Sequence, residues 1–326
     1  MTKHISRRAF LKGSLATACT LTAARVSAAA VEPDRNQQLA TLLDLSKCIG
    51  CESCVEACRE ANADKYPNPQ KPFPKMVPKR VPIADWSDKT DVTSRLTPYN
   101  WLFVQSAYVE KDGEEIELFI PRRCMHCSNP PCVKLCPWGS AKQLKNGISR
   151  IDADTCMGGA KCKAVCPWDI PERQTGVGLY LDLLPSFAGN GVMYKCDRCY
   201  TRLAEGELPA CIEACPEDVQ TIGPRDKIIE KAHALAKDMN GYIYGETENG
   251  GTNTIYVSPV PFDQINKAIA RGKGMPHLGA VKDMMADGNN LAAAMLIAPF
   301  AGIAAAAGKV YRMAKKEKRE AAGEKQ

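Results

Sequence analysis

The sequence has few of the residues on which haem, nucleotide or nucleic-acid binding depends. It contains only four histidines in 326 residues, and the Cys124–Cys127 motif is followed by serine rather than by the histidine that covalent haem attachment requires. No Gly-x-Gly-x-x-Gly motif opens a helix after a strand, and the part of the chain between its two basic ends has no basic patch typical of nucleic-acid binding. These absences exclude covalently attached haem and leave no indication of a dinucleotide or a nucleic acid as ligand.

Cysteine, by contrast, is abundant. Sixteen cysteines in a chain of this length do not fit a disulfide framework, because disulfide-dense proteins are usually short domains that lack a sufficient core. Apart from Cys19, they fall into four closely spaced groups. The groups are Cys48, Cys51, Cys54 and Cys58; Cys124, Cys127, Cys132 and Cys136; Cys156, Cys162 and Cys166; and Cys196, Cys199, Cys211 and Cys215.

This spacing is typical of iron-sulfur cluster binding. In bacterial ferredoxin runs, three close cysteines bind one cluster and the last cysteine, often followed by proline, binds a neighbouring one. Zinc is the main alternative, since Cys-x-x-Cys pairs also bind it, but zinc would not require the third close cysteine and the trailing Cys-Pro of successive groups. The odd number of grouped cysteines also disfavours disulfides. We therefore predict four clusters.

The pairing of the groups predicts which cysteines share a cluster. The second and third groups are separated by about twenty residues and should form one ferredoxin-like pair, which leaves the first and fourth groups to form the other. On this basis, the three complete ligand sets are Cys48, Cys51, Cys54 and Cys215; Cys58, Cys196, Cys199 and Cys211; and Cys124, Cys127, Cys132 and Cys166. No catalytic residue is predicted.

The fourth ligand set is incomplete. It consists of Cys136, Cys156 and Cys162, and Gly159 stands where a further cysteine would be expected. Because glycine has no side-chain ligand, we predict one three-iron [3Fe-4S] cluster beside three [4Fe-4S] clusters. A fourth [4Fe-4S] cluster with water or another oxygen ligand is the alternative. With three thiolates instead of four, this cluster carries less negative charge and should be the easiest to reduce.

The two ends of the chain have the pattern of targeting and membrane segments. Residues 1–30 contain an arginine pair, a weakly apolar stretch and a run of three alanines, which predicts a twin-arginine export signal with a small-residue cleavage site. Residues 288–308 carry no charge and precede a basic tail, residues 309–326. This pattern favours a membrane-spanning helix with a cytoplasmic tail; a helix lying against a partner is the alternative. The expected location is the periplasmic face of the cytoplasmic membrane.

Between these ends, we predict an α+β fold of two interleaved ferredoxin-like modules with loop-rich insertions and a C-terminal helix. Asp112-Gly113 between two β-prone runs predicts a hairpin. Trp138 and Trp168 each follow a Cys-Pro and are expected to shield the clusters from water. The predicted segments are the first module, 31–60 with 190–225; a proline-rich insertion, 61–100; the second module, 101–189; and an extension, 226–287, with helical periodicity at its start.

The four cysteine groups resemble those of the iron-sulfur (beta) subunits of periplasmic membrane-bound oxidoreductase complexes, such as formate dehydrogenase, nitrate reductase and dimethyl sulfoxide reductase. The resemblance covers residues 40 to 265. On residues 122–127, 244–246, 250–252 and 260–262, the chain is most similar to the branch found in nickel-iron hydrogenases and in transmembrane complexes of sulfate reducers. The resemblance implies a catalytic subunit beside the first module and an integral membrane quinone-reactive subunit beside the second. The implied catalytic partner is a nickel-iron hydrogenase, a molybdopterin enzyme or a cytochrome-linked quinone reductase.

The predicted function is electron transfer through four clusters, between a periplasmic catalytic subunit and a membrane quinone-reactive subunit, without substrate chemistry in this chain. A diffusible periplasmic polyferredoxin is the alternative, against which the apolar stretch and the basic tail argue. An enzyme that acts at the open iron corner is a third hypothesis, but no acid-base constellation accompanies Gly159.

Overall fold

The structure, a computed structural model, describes residues 38–183, 185–186 and 189–286. The predicted export signal, the uncharged stretch 288–308 and the basic tail lie outside these residues. Within the described part, no helix has the length and apolar character needed to cross a bilayer. This part of the chain is a mixed α/β fold of short helices and small sheets.

Most of the regular elements are short, and they lie before, within, between and after the cysteine groups. The strands are β1 (Leu39–Asp44), β2 (Phe103–Lys111), β3 (Glu114–Arg122), β4 (Ala141–Gln143), β5 (Ser149–Ile151), β6 (Glu172–Gln174), β7 (Val192–Tyr194), β8 (Gln220–Pro224), β9 (Tyr242–Tyr244) and β10 (Thr254–Ser258). The helices are α1 (Ser53–Ala61), α2 (Pro131–Lys134), α3 (Lys161–Ala164), α4 (Leu179–Leu183), α5 (Tyr200–Ala204), α6 (Ala210–Glu213), α7 (Arg225–Asp238) and α8 (Phe262–Ala268).

A four-stranded sheet joins distant parts of the described chain. Its order is β8-β1-β10-β9, in which β1 is parallel to β10 and antiparallel to β8. All six residues of β1 are buried, as expected for a central strand with both faces covered. Ile228, Ala232 and Ala236 of α7, which are spaced by one helical turn, pack against Leu42 and Ile255 of the sheet. The helical periodicity predicted at the start of the extension is therefore confirmed.

The hairpin predicted around Asp112-Gly113 is formed by β2 and β3. Both turn residues have positive φ angles, 54° and 85°, which two-residue hairpin turns favour and which Asp-Gly sequences adopt readily. Side chains alternate between buried and more exposed positions along β2, so that one face of the hairpin packs on the core. The strands continue to the edge of the turn, because pairing extends from Phe103 opposite Arg122 to Lys111 opposite Glu114.

The proline-rich insertion runs as an extended segment along the residues that follow the third cysteine group. The backbone N–H of Gln70 donates to the oxygen of Gly176 over 2.8 Å, and the N–H of Val77 donates to Oδ1 of Asn190 over 3.0 Å. These bonds satisfy backbone donors in a segment whose prolines prevent regular sheet pairing.

The main hydrophobic core contains many of the cysteines together with large aromatic side chains. Trp168 belongs to this core, is 1% exposed and donates its Nε1–H to Tyr244 Oη over 2.8 Å. Trp138, at the corresponding place in the second group, is 58% exposed. The expectation that both tryptophans exclude water is thus wrong for Trp138, because its loop lies at the surface.

Candidate metal centres

All four cysteine groups begin with the same backbone loop. The second residue after the first cysteine is left-handed in every group, with φ between 46° and 72°. Its backbone N–H donates to the first thiol, over 3.4 Å at Cys196 and 3.5 Å at Cys124, and equivalent N–H donors act on Cys48 and Cys156. The four left-handed residues are Gly50, His126, Gly158 and Arg198. Each loop therefore turns a backbone donor toward sulfur, as sites for anionic groups do.

The last two cysteines of each group are separated by about one helical turn. Cys54 and Cys58 both lie on α1, whereas in the other groups the second-to-last cysteine lies inside a one-turn helix and the last one follows it. In every group, the last cysteine has thiol neighbours from a different group. The pairs of last cysteine and neighbour are Cys58 and Cys211, Cys136 and Cys156, Cys166 and Cys124, and Cys215 and Cys48.

Three cavities lie where the groups meet, and each is lined by four cysteines. Site A is lined by Cys48, Cys51, Cys54 and Cys215. Site B is lined by Cys58, Cys196, Cys199 and Cys211. Site C is lined by Cys124, Cys127, Cys132 and Cys166. In each cavity, four thiols thus line one shared space, and four is the number of cysteine ligands that a [4Fe-4S] cluster takes.

The remaining grouped cysteines, Cys136, Cys156 and Cys162, come together at a fourth place, site D. Burial raises the pKa of Cys162, and the charges of Cys156 and Cys136 raise it further. Burial also acts to raise the pKa of Cys136, but backbone N–H donors of residues 138–141 outweigh it and lower the pKa. The structure thus brings together the same four sets of cysteines that the sequence pairing grouped.

Gly159 lies at site D in the place that cysteine occupies in the other three loops, one residue after the left-handed position. A Cβ atom at Gly159 would meet no atom within 4 Å, and the φ angle is not in the left-handed region. Gly158 differs, because its φ is +61° and an added Cβ would collide with the backbone oxygen of Gly191. The backbone therefore requires glycine at position 158 but not at position 159.

The four sites follow one another in the order A, B, C and D. Burial is the main cause of the raised pKa of their thiols, and a thiol of the adjacent site adds to it at each junction. The pairs of thiols across the three junctions are Cys54 and Cys211, Cys196 and Cys124, and Cys132 and Cys162. The sites thus form a connected series through the protein.

Both ends of this series approach the surface, and site B between them is closed to solvent. Cys51 of site A is exposed, and Cys136 of site D is partly exposed beside the exposed Trp138. All four cysteines of site B are buried. A partner protein therefore has access to the series at site A and at site D.

The donors around the cavities fit an iron-sulfur cluster. Burial raises the pKa of Cys196 to about 12 and that of Cys132 to about 11, so metal binding has to displace protons from such thiols. The His126 ring is fully buried; its Nδ1 accepts the N–H of Ser149 over 3.2 Å, and its Nε2 has no partner among the described atoms. Nε and Nη2 of the buried Arg123 also lack partners. A group of thiolate-bound iron and sulfide supplies acceptors for such donors.

Sequence reasoning missed three buried cations at the same place, Arg123, Lys195 and Arg198. The only sequence feature that could have indicated them is their position next to the cysteines. Arg123 and Lys195 each directly precede the first cysteine of a group, and Arg198 lies between Cys196 and Cys199.

Comparison with known proteins gives two matches to models of the 4Fe-4S dicluster domain, at residues 47–140 and 116–225. The class of protein is therefore that of the iron-sulfur proteins with paired clusters. Together, the two matched ranges contain all four cysteine groups.

Several known proteins are similar to this chain over most of its length. The chain is 30% identical over 302 residues to the hydrogenase-2 operon protein HybA of Escherichia coli O157:H7, covering 80% of this chain and 83% of HybA. It is 28% identical over 231 residues to the iron-sulfur subunit of nitrate-inducible formate dehydrogenase from Escherichia coli K12, covering 69% of each. It is also 30% identical over 267 residues to a protein of Nitratidesulfovibrio vulgaris, covering 79% of this chain but only 65% of that protein. The chain belongs to the family of iron-sulfur subunits of oxidoreductase complexes, as the sequence predicted.

Proposed function

We propose that this chain relays electrons through four iron-sulfur clusters, in the order A, B, C and D, between a periplasmic catalytic subunit and a membrane quinone-reactive subunit. The observation that carries the proposal is the unbroken succession of thiol-lined sites with both ends near the surface. Bound clusters would supply one-electron redox chemistry. The protein holds them by its thiols, covers the middle of the relay and leaves its ends accessible.

The ligand sets of the proposed clusters are those of sites A, B, C and D. Sites A and B would form one ferredoxin-like module and sites C and D the other, with the first module interrupted in sequence by the second. This arrangement is supported by the neighbouring thiols across groups one and four and across groups two and three.

We further propose that site D holds a [3Fe-4S] cluster and that the other sites hold [4Fe-4S] clusters. Electron paramagnetic resonance of the oxidised protein should show a three-iron signal. Gly159→Cys should replace that signal with a four-iron signal in the reduced protein, because the open space at Gly159 admits a thiol without strain. Gly159→Ala adds a Cβ but no ligand and should keep the three-iron signal. A three-iron signal that survives in Gly159→Cys, or is absent from the unaltered protein, would contradict the assignment.

The relay is tested by isolating the protein from membranes. A tagged full-length chain, extracted in mild detergent, is expected to bring down a catalytic subunit and an integral membrane subunit, identified by mass spectrometry, and to carry clusters that the catalytic subunit reduces or oxidises. Recovery of the chain as a free protein with all its clusters, without detergent, would instead support the diffusible polyferredoxin. A zinc-loaded or colourless preparation would contradict both functions.

A further inference from the structure

Three buried cations lie where sites B and C meet, and electron relay alone does not account for their charge. Arg123, Lys195 and Arg198 are 3% to 6% exposed. Burying a charge is unfavourable unless it is paired. Among the described residues, none of the three forms an ion pair with a carboxylate; their acceptors are cysteine sulfurs, backbone carbonyls and a threonine hydroxyl.

Lys195 links the two sites directly. Its Nζ donates to Sγ of Cys124, a site C residue, over 3.4 Å, and to the backbone oxygen of Cys196, a site B residue, over 3.2 Å. A third bond reaches the backbone oxygen of Ser149. The ammonium group thus uses its three donors, two on backbone oxygens and one on the sulfur of a cluster-site cysteine.

Arg123 acts mainly on site B. Its Nη1 donates to Sγ of Cys211 over 2.8 Å, while Nε and Nη2 are buried without a partner. Arg198 is different, because its guanidinium donates to the oxygens of Leu39 and Asn253 and so ties β1 to the start of β10. The cations that contact cluster-site thiols through their side chains are therefore Arg123 and Lys195.

A fixed positive charge next to a cluster favours its reduced form, because reduction adds negative charge. Net charge and hydrogen bonds to sulfur are the levers by which a protein sets the potential of a cluster, and both levers are strong where water is excluded. Arg123 and Lys195 supply both levers at the covered middle of the series.

We propose that Lys195 and Arg123 are positioning residues that raise the reduction potentials of the two central clusters, Lys195 chiefly at site C and Arg123 chiefly at site B. This inference rests on the proposed function, since it requires clusters at both sites. The consequence is that an electron passing from one module to the other does not have to reduce a central cluster of very low reduction potential.

The test is a potentiometric titration of the complete, cluster-loaded complex, followed by electron paramagnetic resonance. Lys195→Met should lower the reduction potential of the site C cluster by at least about 59 mV, which is a tenfold change in the equilibrium constant of a one-electron reduction. The effect at site B should be smaller. Arg123→Met should have its larger effect at site B and its smaller effect at site C. Lys195→Arg, which keeps the charge, should stay near the unaltered value, and Lys227→Met, at a lysine whose side chain is 66% exposed, should leave all potentials unchanged.

The outcomes separate the inference from the function beneath it. Unchanged potentials in Lys195→Met with full iron content would overturn the inference and leave the relay intact, whereas an unaltered protein without clusters would overturn the relay. If both Lys195→Met and Lys195→Gln lose iron, the iron content of Lys195→Arg distinguishes the role of charge from that of packing. Iron retained by Lys195→Arg would show that the site needs a positive charge and would support the inference. Iron lost from Lys195→Arg would show that Lys195 acts through its packing and would overturn the inference.

Discussion

At the scale of single residues, two adjacent glycines at site D differ in whether the backbone requires them. Gly158 is left-handed and lies against the backbone of Gly191, so any side chain there is both strained and obstructed. Gly159 faces open space with an ordinary φ angle. The backbone therefore does not require glycine at this position, and the missing side chain affects only the ligands available at site D. The pair allows a structural effect to be separated from a chemical one by substitutions one residue apart.

Gly158→Ala is expected to lower the free energy of unfolding by about 1–3 kcal/mol, because overpacking costs that much and alanine is unfavourable at positive φ. Gly159→Ala serves as the matched control and should stay within about 0.5 kcal/mol of the unaltered protein, as a substitution in open space does. Denaturant unfolding of the cluster-loaded protein measures both. Equal losses in the two variants would show that the loop tolerates neither change.

At the scale of elements, the sheet and its helix form a core separate from the cysteine-lined one. Ile228, Ala232 and Ala236 of α7 pack with Leu42 and Ile255, whereas most of the buried cysteines belong to the other cluster of side chains. The strand β1 takes part in both, because Leu43 faces the cysteine side. The helix therefore supports the strand that runs into site A without contributing to the site itself.

Ile228→Ala is expected to cost about 2–4 kcal/mol of stability, since truncating a buried isoleucine leaves a cavity. Iron content and cluster potentials should remain unchanged, because Ile228 belongs to the core that holds no cysteine. Glu230→Ala, at an exposed position on the same helix, is the control and should change stability by less than about 0.5 kcal/mol. Thermal unfolding together with redox titration checks both parts. Loss of iron from Ile228→Ala would mean that the two cores are coupled.

Elements specified by neighbouring residues could be predicted from the sequence, whereas contacts between residues far apart in the chain could not. Asp112-Gly113 specified its hairpin because few residues accept two successive positive φ angles, and the one-turn spacing of apolar residues specified α7. The pairing of β1 with β10 left no local trace, since parallel register depends on tertiary packing. Trp138 was misjudged because the Cys-Pro-Trp motif occurs in both a buried and an exposed setting. The grouping of the cysteines was predictable because spacing encodes it, but the cations between sites B and C were not.

At the scale of the whole molecule, the series of sites is accessible at its two ends. Cys51 is exposed at site A, Cys136 is partly exposed beside the exposed Trp138 at site D, and all four cysteines of site B are buried. In the proposed relay, partners would exchange electrons with the protein at these two ends. The buried side chains of Arg123 and Lys195 lie between the ends, at the junction of sites B and C.

The parallel pairing of β1 with β10 also bears on how the protein is made. Leu42 lies opposite Ile255, so β1 emerges from the ribosome long before its neighbour has been translated. Every cysteine group lies in the stretch between the two strands, and such distant pairing forms slowly. The central strands of the sheet can therefore pair only after synthesis has passed Ser258, when all four cysteine groups have already been translated.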